Sequence, residues 1–183
     1  DVTSWDIGFD ESYAVAGVPT IVDATLYDTD NDGYVEEILI EFSENLDDSS
    51  VTANSDAAQF LINGIAATGI DSTTLSGSGN TTSNPGDPDQ ANDQYITIFT
   101  EVYGTGLLPV AFLWSVDKYE DASGDDVETD YDITEIDAAA PVLMAVYGID
   151  VGTAGIFNAA GDRMDLVFSE TLGDLPTLAE MEA

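Results

Sequence analysis

Cysteine and histidine are both absent from the 183 residues, and only two side chains, Lys118 and Arg163, are basic. Without cysteine there is no disulfide framework and no thiolate chemistry. Without histidine the commonest general base and metal ligand is gone. Ser-His-Asp, Cys-His and zinc constellations are thereby excluded, and no glycine-rich phosphate loop stands in for them. A nucleic-acid interface needs a cationic footprint that two basic side chains cannot supply, so no nucleic-acid partner is expected. Contact with an anionic membrane surface fails for the same reason. No apolar run reaches about 18 residues, so no membrane span is expected. No signal peptide is visible, and a chain beginning at Asp1 reads as a mature, processed product or a fragment of a longer one.

What the chain does have is acid. Its 37 Asp and Glu residues give a formal net charge of −35. Such a chain repels itself unless cations neutralise it, at specific sites or in a high-salt medium, and both point outside an ordinary cytosol. Hydrophobic content of 44% still suffices for a packed core. No enzyme activity is expected. Glycosidases work with two carboxyl groups about 5–10 Å apart, but among so many acids close pairs arise by chance and identify nothing.

One stretch gathers acids in phase: Asp28-Thr29-Asp30-Asn31-Asp32-Gly33-Tyr34-Val35-Glu36. Calcium takes roughly six to eight hard oxygen ligands, which a short loop supplies best from alternate residues. Asp28, Asp30, Asp32 and Glu36 are the candidate carboxylate ligands. Gly33 permits the sharp turn, after which the Tyr34 carbonyl can face the ion. The twelfth position is Leu39, where an EF-hand places a bidentate Glu. Val35, Ile38, Ile40 and Phe42 follow in a largely alternating, β-rich pattern, so the loop is expected between two strands, Thr20–Tyr27 and Tyr34–Phe42. Alternation sends Glu37 to the face opposite Glu36. Asp, Asn and Gly are also common turn residues, so a plain acidic turn is the competing reading. The nine-residue form resembles the β-hairpin calcium loops of integrin-type propellers, with Glu36 where those have Asp.

The chain carries an internal repeat. Phe-Ser-Glu-x-Leu occurs at 42–46 and again 126 residues on at 168–172, while Pro19 and Pro141 begin similar segments 122 residues apart. A period of this size indicates tandem domains rather than a short solenoid repeat. Residues 19–140 form one unit, 141–183 the opening of another, and 1–18 an end strand or linker with Trp5, Ile7, Phe9, Tyr13 and Val15 at odd positions. Further strands are expected at 59–62, 94–99, 109–116 and 130–136, with no long amphipathic helix. Six or seven strands in such a unit fit an all-β sandwich. Residues 71–90, rich in Ser, Thr, Gly, Asn and Pro, read as an exposed loop carrying the N-glycosylation sequon at Asn80.

These residues resemble the Ig-like domains of bacterial S-layer and other large cell-surface proteins. The likeness rests on Pro-x-Ile/Leu, an Asp/Asn/Gly turn, a strand ending in Phe-Ser-Glu, and a later Asp-x-x-Gly-Asx turn at Asp121–Asp125. It covers 19–140 well and 141–172 in part. It implies an Ig-like β-sandwich and a structural, extracellular role at the cell surface, in a layer, stalk or fibre often stiffened by Ca²⁺. The second copy departs from the first: at the 126-residue offset Asp28, Asp30, Asp32 and Gly33 fall on Ala154, Ile156, Asn158 and Ala159. Only Asn158, Asp162 and Asp165 remain there for a weaker acidic turn.

A second candidate metal cluster joins Glu44 with Asp117, Glu120, Asp121 and Asp125, with a solvated acidic loop as the plainer alternative. Asp47-Asp48-Ser49-Ser50 reads as a turn or helix cap. The leading expectation is a self-associating S-layer or surface-filament subunit, in which strand 1–16 pairs with a neighbouring subunit. The alternative is an adhesin stalk or carbohydrate-binding accessory module using Trp5, Trp114 or Tyr119, although strand aromatics usually belong to the core. A third reading is a protein whose acids adapt it to high salt.

Overall fold

A computed structural model describes residues 17–51, 54–71, 92–115, 117–151 and 161–173. The expected strand at 1–16, most of the loop at 71–90 with Asn80, and Asn158 in the second copy lie outside the described residues.

The alternation of β-branched and aromatic residues yields an all-β architecture. The strands are β1 (Ile21–Tyr27), β2 (Tyr34–Phe42), β3 (Phe60–Ile62), β4 (Ile65–Ala66), β5 (Gly69–Asp71), β6 (Tyr95–Tyr103), β7 (Val110–Phe112), β8 (Asp130–Ile133), β9 (Glu135–Asp137), β10 (Leu143–Ile149) and β11 (Arg163–Phe168). Helical structure among the described residues is limited to two short 3-10 segments, Asp48–Ser50 and Asn54–Gln59. The first is capped by Asp47, whose Oδ1 accepts the Ser49 N–H at 2.9 Å.

A five-stranded sheet has the order β5-β6-β2-β1-β9, and a four-stranded sheet the order β4-β3-β7-β8. All pairings are antiparallel except β1 with β9. Both sheets feed one buried cluster. The first contributes Ala24, Leu26, Ile38, Ile40, Phe42, Ile70, Ile96 and Ile98, and the second Phe60, Ile62, Val110, Phe112 and Ile133. This arrangement is consistent with a sandwich. Phe60, Phe112 and Tyr119 pack edge-on or tilted at centroid separations of 4.8–5.5 Å. Tyr119 is wholly buried and donates its hydroxyl to the Asp56 carbonyl at 2.8 Å, so it belongs to the core and offers no platform for a ligand.

Two strands differ from expectation. The segment expected as one strand at 130–136 divides between the sheets: β8 pairs with β7, whereas β9 pairs with β1. The break falls at Thr134, whose carbonyl accepts the Ala24 N–H at 2.9 Å. The strand expected through 116 stops at Phe112, after which the Trp114 N–H turns to the Thr129 hydroxyl.

The hairpin β10–β11 forms a separate two-stranded sheet that copies β1–β2. Ile21 pairs with Phe42 and the register shifts before Asp23; Leu143 pairs with Phe168 and the register shifts before Ala145. Ser43 Oγ accepts the Thr20 N–H at 3.0 Å, and the Ser43 N–H donates to the Thr20 carbonyl at 2.8 Å. Ser169 does the same with Val142, at 2.9 Å in both directions. The serine of Phe-Ser-Glu thus satisfies the backbone of the residue after the proline in each copy.

Candidate metal centre

The β1–β2 turn is shaped by its own side chains. Asp28, just past β1, accepts the N–H of Asp32 on Oδ1 at 3.2 Å and that of Gly33 on Oδ2 at 3.0 Å. Asp32 Oδ1 accepts the N–H of Tyr34, the first residue of β2, at 3.0 Å. Such Asx bonds make a polar sequence close tightly. Asn31 and Gly33 take positive φ, 61° and 95°. Asn tolerates this region and Gly33 takes it without a Cβ penalty, while the thioether end of Met144 on β10 packs directly against Gly33 and would have to shift for a Cβ. The Gly33 carbonyl accepts the Gly104 N–H at 2.9 Å, and the Tyr34 ring meets Tyr103 edge-on at 5.4 Å. The loop is therefore braced against the far end of β6.

The turn brings Asp28, Asp30, Asp32 and Glu36 together, with one carboxylate oxygen from each within 4.8 Å of the others. Oxygens on opposite sides of a cation bound at about 2.3–2.6 Å are about 4.6–5.2 Å apart, so this spread suits a single ion. Asp30 and Asp32 are exposed, Asp28 and Glu36 half-buried. Glu36 Oε2 accepts the Thr29 N–H at 2.8 Å, whereas Oε1 is buried and has no hydrogen-bond partner. Burial, followed by repulsion from Asp28, Asp30 and Asp32, raises the Glu36 carboxyl to about 7 despite the opposing Thr29 bond. An all-oxygen set of four acids with an orphaned, partly desolvated oxygen fits a hard cation, and the group could hold a metal ion.

The other expected ligands fare differently. Among the described residues, the convergent acid group is the one above. Asp121 is nearly buried, and its Oδ1 accepts the N–H groups of Ser123 and Asp125 at 2.8 and 2.9 Å, which makes it the organiser of the Asp-x-x-Gly-Asx turn. Asp117 is exposed at φ 58°, and Glu44 and Asp125 are half-exposed. Glu120 does lie among acids: desolvation and then repulsion from Asp126, Asp117, Asp47 and Asp121 raise its carboxyl above the usual range. Glu37, expected opposite Glu36, is buried at 5% exposure. The register of β2 against β6 shifts between Val35 and Glu37, which lets Val35 and Ile38, three residues apart, both join the core.

A junction that sequence alone did not signal lies next to the loop. Ser169 Oγ and Thr105 Oγ1 are 2.6 Å apart, and Glu170 packs over Gly106. Desolvation, with the adjoining Asp137 carboxylate, raises the Glu170 carboxyl. The ends of β10 and β11 thus rest on the 104–106 turn that also braces Gly33. None of the described helices is long and apolar enough to cross a membrane. No family model, no curated protein and no solved structure matches the chain.

Proposed function

We propose that this protein is an extracellular structural protein, an S-layer or surface-filament subunit built from Ig-like units, each hairpin-led, with the first stabilised by Ca²⁺. The observation that carries the reading is the convergence of Asp28, Asp30, Asp32 and Glu36 on one point in a chain of −35 net charge. Those four side chains, with the Tyr34 carbonyl, would hold the ion. The ion supplies two positive charges where four carboxylates otherwise repel, and it gives the orphaned Glu36 oxygen a partner. Binding to the folded chain alone stabilises it by mass action, by about 2.7 kcal/mol when free ion is about 100 times its Kd.

The duplicated hairpin supports a tandem architecture, with residues 19–140 as one unit and 141–183 as the start of the next. The acid-rich, His- and Cys-free composition supports a scaffold role without catalysis. Self-association, with strand 1–16 pairing to a neighbouring subunit, completes the reading.

The test is thermal unfolding and particle size in about 5 mM Ca²⁺ against excess chelator, an ion concentration that saturates even weak extracellular sites. The expected result is a marked fall in Tm and loss of assemblies in chelator, with the calcium effect on Tm abolished by Asp28→Asn together with Asp32→Asn. An unchanged Tm would reduce the loop to an acidic turn. Normal assembly after deletion of residues 1–16 would remove the strand-pairing part alone.

A further inference from the structure

At the opposite end of β1 from the acidic loop lies a cleft of about 460 Å³ lined by Val18, Trp114, Asp126, Glu128 and Thr129. Its volume falls in the range of small-ligand pockets. Trp114 is 46% exposed, unusual for the largest side chain in a protein with an intact core. The Trp114 N–H donates to Thr129 Oγ1 at 2.9 Å, which ties its backbone to the segment that carries the two acids. Asp126 Oδ1 is buried and has no hydrogen-bond partner. Asp126 and Glu128 place two carboxylates in the lining of the cleft beside the exposed indole.

We propose that this cleft binds an organic cation: an ammonium or guanidinium group on a short aliphatic stem. Carboxylates only accept hydrogen bonds, and such a group only donates. An indole face attracts cations, and the aliphatic stem has Val18 and the indole to lie against. The chain's own cations are engaged elsewhere, Lys118 with Asp56 at 3.2 Å and Arg163 with Asp165 at 2.9 Å. The acids of the cleft therefore act undiluted, within a field of −35 that concentrates cations and does nothing for neutral sugars. A bare metal ion is less suited, because one wall of the site is an indole with no oxygen to offer. The cleft is separate from the Asp28–Glu36 loop, so the inference stands whether or not calcium binds there.

The test is calorimetric titration of the full chain with 1,5-diaminopentane at fixed ionic strength, with cellobiose and 1-pentanol as neutral comparators. The expected result is saturable binding of the diamine alone, weakened about tenfold by Asp126→Asn and about fivefold by Trp114→Ala, and unchanged by Glu101→Gln, which alters an exposed acid of β6. Trp114→Phe keeps an aromatic face if the alanine variant does not fold, and it is expected to weaken binding by about twofold. Trp114 fluorescence in a Trp5→Phe background is expected to change with the same saturation curve. The proposal is overturned by non-saturable heats, by equal losses in Asp126→Asn and Glu101→Gln, which would mean diffuse counter-ion attraction, or by cellobiose saturating the site where the diamine does not.

Discussion

The hairpins β1–β2 and β10–β11 share a register, a bulge and a serine clamp, yet their environments are opposite. Ala24, Leu26, Ile38 and Ile40 on the first are wholly buried. Val146, Met164 and Leu166, which occupy the corresponding positions of Ala24, Ile38 and Ile40 on the second, are 53%, 68% and 46% exposed. Backbone geometry was reproduced from a short local pattern, while burial depended on whether another sheet lies across the face. An isolated two-stranded hairpin is marginal in water, so the second gains from resting its ends on Thr105 and Gly106.

The sharpest way to break the comparison is to truncate matched positions. Ile40→Ala opens a cavity in the closed core and is expected to cost about 2–5 kcal/mol by urea unfolding, while Leu166→Ala costs under about 1 kcal/mol. Equal costs would mean that the second face is covered in solution.

Gly33→Ala comes next, at about 1–3 kcal/mol, because it combines a positive φ with displacement of the Met144 thioether. Gly64→Ala is the control, with a positive φ of 78° but open space around it, and it is expected to cost less. If the two substitutions cost the same, the Met144 side chain yields to the added methyl without penalty.

The clamps should separate too. Ser169→Ala loses both the Val142 N–H and the Thr105 hydroxyl, and is expected to cost about 1–2 kcal/mol, against about 0.5–1 kcal/mol for Ser43→Ala, whose bond to Thr20 is exposed. A reversed order would show that the hairpin is not seated on Thr105.

The smallest effect is the pH dependence that Glu36 contributes in the first hairpin. Glu36 is raised from 4.5 to about 7 in the folded chain. The folded state therefore holds the proton more tightly than the unfolded one. In chelator, its contribution to stability should fall as pH rises from about 4.5 to about 7 and stay constant above that. With solvent screening allowed for at this half-exposed site, the expected loss is about 1 kcal/mol, absent in Glu36→Gln and reversed by calcium. A flat difference between the two variants across that range would sink it.

Much of this was readable along the chain. The alternation at 34–42 gave β2, and in-phase Asp28, Asp30, Asp32 and Glu36 gave the convergent group, because these residues belong to one turn that Asp28 and Asp32 close by accepting its own N–H groups. Asp47 as a cap was equally local. The Asn63-Gly64 pair, both at positive φ, carries the signal of a two-residue hairpin and could have disclosed β4. The sheet change at Thr134 had no such signal, since Asp130–Ile136 reads as one strand whichever neighbours it has. Nor did the second acidic group, where Asp121 turned its carboxylate to its own loop's N–H groups instead of towards Glu44.

The all-β class, the repeated hairpin, the acidic turn and the exclusion of His- and Cys-based chemistry follow from the residue order alone. Each of these rests on residue identity or on contacts a few positions apart. Three further features emerge from long-range packing: β9 joins β1 in parallel, Tyr119 is core while Trp114 faces a cleft, and Gly33 meets Met144 across 111 residues. Those outcomes depend on which distant segments compete for the same sheet edge or the same apolar face, and no local pattern encodes the winner.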